Sequence, residues 1–134
     1  MKTKMAKYRP INTKFWTDSY IFKLSSDEKL VYNFLFTNEK TNICGIYELP
    51  QHMISIFTGI RFENINIILE KFERDGKIVY VAEWMYVINF VKNQMMNDKV
   101  RIGVKRGLEA IPSKILNEIK KVDAHFNERY SNFI

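Results

Sequence analysis

The chain has 134 residues, with 21 Lys and Arg against 15 Asp and Glu for a formal charge of +6; this is one domain's worth of material, enough for a real core but not for two ordinary domains. An apolar content of 46% with 14% aromatic residues excludes intrinsic disorder, and the lack of a signal-peptide core or a membrane-length apolar run predicts a cytoplasmic protein with no membrane partner. One cysteine, Cys44, and two distant histidines, His52 and His125, exclude an internal disulfide and a zinc-ligand set.

The basic arm of residues 1–14 carries Lys2, Lys4, Lys7, Arg9 and Lys14. Behind it, Phe15, Trp16, Tyr20 and Phe22 predict a short helix with Thr17 or Asp18 at its cap. Four large aromatics in eight residues exceed what a short helix buries against itself, so they need either the domain's own core or another chain's. These four are the candidate self-association surface. Ser25-Ser26-Asp27-Glu28 fits a capping box, with Leu30, Val31, Phe34 and Leu35 on the inner face of the helix that follows. Ile43–Leu49 is short and rich in β-branched and aromatic residues, which predicts a strand containing a buried Cys44, and Pro50 ends it.

Pro50–Phe57 is expected to form a helix with Met53, Ile54 and Phe57 inward, followed by a turn at Gly59 with positive φ. A third helix over Arg61–Asp75 places Ile65, Ile68, Leu69 and Phe72 in one apolar stripe, closed by Gly76. Lys77–Val81 and Met85–Phe90 read as a hairpin joined across Ala82-Glu83-Trp84. From Asn97 a capped helix turns Val100, Val104 and Leu108 inward, and after Pro112 a last helix, capped by Ser113, carries Ile115, Leu116, Ile119 and Val122. Gly103 and Gly107 lie four apart, in a segment too polar for a membrane dimer motif. The predicted fold is therefore mainly helical α+β, a winged helix-turn-helix with a short three-stranded antiparallel sheet. It divides into an arm (1–14), a winged-helix domain with its aromatic helix (15–96) and a basic helical extension (97–134).

Arg9-Pro10-Ile11-Asn12-Thr13-Lys14-Phe15-Trp16-Thr17-Asp18-Ser19-Tyr20-Ile21, then Leu35-Phe36-Thr37-Asn38, Gly45-Ile46-Tyr47-Glu48-Leu49-Pro50 and Ile88-Asn89-Phe90-Val91-Lys92-Asn93-Gln94, form a set of segments within roughly residues 8–112. Together they resemble the N-terminal part of phage and prophage replisome organisers, the DnaD-like replication initiation family. The resemblance implies a winged-helix module that self-associates and helps to load a replicative helicase onto DNA, commonly followed by a further helical domain that these 134 residues do not include. Members typically start the third helix with Ser or Thr, where this chain has Arg61.

Charge by segment locates the expected DNA contacts. Residues 1–23 are net +5, residues 24–90 net −3 and residues 91–134 net +4. The outward row of the third helix is Glu63, Ile67, Glu70 and Arg74, whose carboxylates repel phosphate, and the wing tip offers Glu83 and Trp84 rather than a cation. The candidate DNA-binding residues are therefore Lys4, Lys7, Arg9 and Lys14 in the arm, Lys99, Arg101, Lys105 and Arg106 after the wing, and Arg61 and Asn64 at the start of the third helix. With no phosphate-cradling Gly-rich loop, G-x-S-x-G elbow or metal-ligand cluster, neither catalysis nor a cofactor is expected. A replication-initiation module is the leading reading. A winged-helix transcriptional regulator and a protein-interaction module that binds no DNA remain alternatives.

Overall fold

The computed structural model describes residues 7–133. A 3-10 turn at Thr13–Thr17 leads into α1 (Ser19–Phe22), followed by α2 (Ser26–Thr37), β1 (Ile46–Glu48), α3 (Gln51–Thr58), α4 (Phe62–Arg74), β2 (Ile78–Val81) and β3 (Trp84–Val87). After a second 3-10 turn at Val91–Asn93 come α5 (Asp98–Glu109), α6 (Ser113–Val122), α7 (Phe126–Arg129) and a last 3-10 turn at Ser131–Phe133. The strands are antiparallel in the order β1-β3-β2, with Tyr86 of β3 opposite both Ile46 and Val79. This is the mainly helical α+β fold expected, with the element order and sheet of a winged helix-turn-helix. No described helix is long and apolar enough to cross a membrane.

Local chemistry explains most boundaries. Asp18 caps α1 by accepting from the amides of Tyr20 and Ile21. Ser25 and Glu28 form the expected capping box on α2, and Glu28 also pairs with Lys71 of α4 at 3.1 Å. Gly59, at φ +78°, turns α3 into α4. Gly76, at φ +70°, closes α4 with its amide on the Glu73 carbonyl and that of Lys77 on the Phe72 carbonyl, a Schellman arrangement.

The sheet is a middle layer with a core on each face, because successive strand residues point to opposite sides. Tyr47, Ile78, Met85 and Val87 face α2–α4, where Val31, Leu35, Ile54, Ile65, Ile68, Leu69 and Phe72 are buried. Ile46, Val79 and Tyr86 face the other way, onto Val104, Leu108, Ile115, Ile119, Phe126 and Tyr130 of α5–α7 and its end. Buried polar contacts lock this second layer. The Tyr86 hydroxyl donates to Asp123 at 2.8 Å, Arg129 donates to the same carboxylate at 3.1 Å, and the Tyr130 hydroxyl donates to the Cys44 carbonyl at 2.6 Å.

Several expectations are corrected. The strand predicted over Ile43–Leu49 shrinks to three residues, since Ile43 and Cys44 turn and Gly45 has φ +81°. The wing is a two-residue turn, Ala82-Glu83, with both φ angles positive, so Trp84 opens β3 opposite Glu48 and Val81 rather than forming the tip. β3 ends at Val87 instead of Phe90, because the Phe90 amide turns back to the Val87 carbonyl. On α2, Leu30 is exposed while Tyr32 and Phe36 are buried, and on α3 Phe57 is exposed. Ser113 makes no side-chain cap, since Pro112 holds the cap position of α6, and Val122 faces outward. The turns of chain after Val122 carry no long periodic stripe, and α7 was not anticipated.

Candidate nucleic-acid interface

The third helix of the winged domain, α4, begins at Arg61, which is exposed and makes no side-chain cap bond; Asn64 is exposed in the same turn. The outward row carries Glu63, Ile67, Glu70 and Arg74, all exposed, and Asn66 bridges Gln51 of α3 and Glu70. Arg61 and Asn64 therefore stand at one end of a face whose centre holds carboxylates and the apolar Ile67. The wing tip is equally unsuited to phosphate. Glu83 is exposed there, and its carbonyl accepts from the Leu49 amide at 2.8 Å, which ties the tip to the end of β1.

The cations of the arm are placed by one buried residue, Thr41. Lys7 donates to its carbonyl at 3.3 Å, and Arg9 donates to its hydroxyl and its carbonyl at 2.9 Å each. Arg9 also lies 5.9 Å over the Phe90 ring, and burial draws its pKa down from the ordinary arginine value. Its guanidinium is thus half-buried and occupied in pinning the arm. Lys7 stays exposed. Lys14 is exposed at a separate shallow hollow of about 190 Å³, beside Asn12, Asp18 and Asn93. Lys4, like Lys2, lies outside the described residues.

On α5, Asn97 caps the first turn by accepting from the Val100 amide at 2.9 Å, and Val104 and Leu108 are buried as expected. Because a helix advances about 100° per residue, the four cations split. Lys99 and Arg106 share the flank next to Gly103 and Gly107, whereas Arg101 and Lys105 share the opposite flank, with the exposed Ile102 between. Gly103 and Gly107 press against Ile43, Asn42 and Cys44. This contact seats Gly107 against the loop that also carries Thr41. The junction is a cleft of about 230 Å³, whose lining includes Lys7, Lys40, Thr41, Glu48, Trp84 and Gly107.

The structure thus brings Lys7 of the arm to the Gly107 end of α5, far apart in sequence, while Lys99, Arg101, Lys105 and Arg106 stay outside this cleft's lining and Arg61 and Asn64 lie on α4. Lys40 and Trp84 belong to the cleft and were not anticipated. Lys40 could have been suspected from its polar loop, but the position of Trp84 depends on strand register. Lys114, Lys120 and Lys121 share an open surface on α6 with Asn117 and Glu118, and the spacing of these lysines along one helix was visible in the sequence.

The four aromatics proposed for self-association divide. Phe15 stacks on Tyr32, and Tyr20 packs edge-on against Tyr32 and Phe72 while its hydroxyl donates to Asp75 at 2.7 Å. These two cover the domain's own core. Trp16 and Phe22 are 61% and 70% exposed. Cys44 is fully buried, and burial pushes its thiol up to about 11, which keeps it protonated at neutral pH. Among the described residues, no group of three His, Cys, Asp or Glu side chains converges as a metal site would require. Comparisons of the chain with family models, curated proteins and solved structures found no significant match.

Proposed function

We propose that this chain is a DNA-binding module of phage or prophage replication initiation. It holds DNA largely through phosphate contacts, with little sequence preference, and assembles with itself or with replisome proteins such as a replicative helicase or its loader. The observation that carries the DNA-binding part is the cleft where Lys7 of the arm and Lys40 meet the Gly107 end of α5, a helix whose own exposed cations lie outside that lining, on a winged helix whose α4 presents Glu63 and Glu70. The replication assignment rests on the resemblance of the segments around Arg9–Ile21, Gly45–Pro50 and Ile88–Gln94. Self-association uses Trp16 and Phe22, the members of the aromatic group left exposed.

Duplex affinity measured across a salt series tests the reading, because each phosphate contact contributes about −0.9 to the slope of log K against log salt. Changing Lys99, Arg101, Lys105 and Arg106 together to Ala should flatten that slope. The pair Lys99→Ala/Arg106→Ala, on the glycine flank of α5, should account for most of the change. A quadruple variant that binds like the parent overturns the assignment, and strong preference for one operator over scrambled DNA would favour a transcriptional regulator. The interaction-module reading has one observation in its favour, since Ile56, Phe62 and Ile67 are 68%, 48% and 61% exposed on α3 and α4. A parent chain that binds neither duplex nor single-stranded DNA even at low salt would establish it over the DNA reading.

A further inference from the structure

Tyr8 of the pinned arm and Trp84 both leave aromatic surface exposed, although Trp84 also packs partly against the core under α5–α7. Tyr8 is 87% exposed, yet its backbone is held between Lys7 and Arg9, both bonded to Thr41. Trp84 is partly exposed and lines the same cleft as Lys7 and Lys40. An aromatic face next to a cation is the arrangement that binds an unpaired nucleotide, with the base stacked on the ring and the phosphate on the ammonium. A duplex offers neither aromatic a base face, since its bases are already stacked on one another.

We propose that the cleft between the arm and α5 is a single-stranded DNA site, with Trp84 as the stacking surface for a base inside it, Lys7 and Lys40 as phosphate ligands, and Tyr8, next to Lys7 in the chain but outside the cleft's lining, taking a further base at its edge. Glu48, paired in register with Trp84, lines the cleft as well and repels phosphate. The strand's backbone therefore runs on the Lys7–Lys40 side and its bases turn towards the indole. The inference rests on the DNA-binding function proposed above and deepens it: the acidic outer face of α4 gives a duplex little to hold, while the cleft accepts a strand already opened.

Fluorescence anisotropy with a short labelled oligothymidylate and with a hairpin duplex of the same length, on the full chain, tests this. The parent should bind the single strand more tightly. Tyr8→Ala, at a site too exposed to disturb the core, should weaken single-strand binding by about tenfold or more and leave duplex binding within about twofold. Lys40→Ala should weaken single-strand binding and reduce its salt dependence. Photo-cross-linking with an oligonucleotide carrying 5-bromodeoxyuridine should give adducts at Tyr8 or Trp84. Duplex binding without oligothymidylate binding, or adducts confined to Trp16 and Phe22, would overturn the single-strand site and leave the proposed function standing. Failure to bind either nucleic acid would overturn both.

Discussion

Gly107→Ala sets two known effects against each other at the contact that places α5 beside the arm. Alanine is the better helix former, by about 1 kcal/mol in a helix interior. At this position, however, the new Cβ would stand 2.3 Å from Asn42 Oδ1, 2.9 Å from Cys44 Sγ and 3.0 Å from Cys44 Cβ. Asn42 cannot simply swing away, because the same oxygen accepts from the Cys44 amide at 3.0 Å, and Cys44 is fully buried. Ordinary contact requires α5 or the loop to retreat by about 1 Å, and overpacking of this kind costs about 1 to 3 kcal/mol. Loss of the Asn42 bond adds about 1 kcal/mol. The clash wins, with a net destabilisation of about 1 to 3 kcal/mol. For 134 residues, an unfolding entropy of about 2.1 cal/mol/K per residue makes that a fall in Tm of roughly 4 to 11 °C.

Gly103→Ala is the control for this prediction. Its Cβ would meet only the Ile43 Cγ2 methyl at 3.1 Å, the end of a side chain that can give way. That variant should be neutral or slightly stabilised. Differential scanning calorimetry of both variants decides the matter, and a Gly107→Ala protein that melts at or above the parent would refute the steric reasoning. Because the displaced flank carries Lys99 and Arg106, Gly107→Ala should also weaken DNA binding at temperatures where it remains folded.

Leu69→Ala, at a position 2% exposed in the core beneath the sheet, should cost about 2 to 5 kcal/mol in urea unfolding, and a loss of only a few tenths would mean that the phase of α4 is misassigned. Burial raises the Glu28 pKa, but the Ser25 amide and the Lys71 ammonium outweigh it and hold the carboxyl below its ordinary 4.5. A depressed folded value means that the stabilisation is present above the unfolded value and disappears as pH falls through the folded one. Glu28→Gln should therefore lower stability by about 1 kcal/mol at pH 7, with the gap narrowing as pH falls below the ordinary carboxyl value of 4.5 and through the depressed folded one; a gap that does not narrow on acidification would exclude the ion pair as its source. Sedimentation equilibrium should show a dimer that Trp16→Ser with Phe22→Ser dissociates without loss of helicity, and a monomer mass at every concentration would exclude self-association through these residues.

The parts of the fold legible in the sequence were those that depend on neighbours in the chain. The capping box at Ser25 and Glu28, the Asn97 cap, the turns at Gly59 and Gly76 and the stripe of Ile65, Ile68, Leu69 and Phe72 are each complete within a few residues, so local chemistry specified them. The segregation of charge was visible too, because it is a property of composition. Where an apolar residue had two possible neighbours, local pattern did not suffice. Leu30 and Phe57 share a helical spacing with core residues yet remain exposed, whereas Tyr32 and Phe36 are buried by Phe72, Phe90 and the aromatic turn that folds over them.

Only the tertiary structure decided how the chain after the wing packs on the sheet. The alternation of β1, β2 and β3 told that each strand has two faces, but not that α5–α7 would cover the second one, a choice made by packing against Ile46, Val79 and Tyr86 and by the buried Asp123. The close approach of Gly107 to Asn42 and the hold of Lys7 and Arg9 on Thr41 join residues more than thirty positions apart. Such contacts leave no periodicity in the chain. Sequence alone therefore determined where the cations are and where the longer helices form, while the fold determined that Lys7 and Lys40 meet beside Trp84, because that meeting depends on long-range packing that no local pattern encodes.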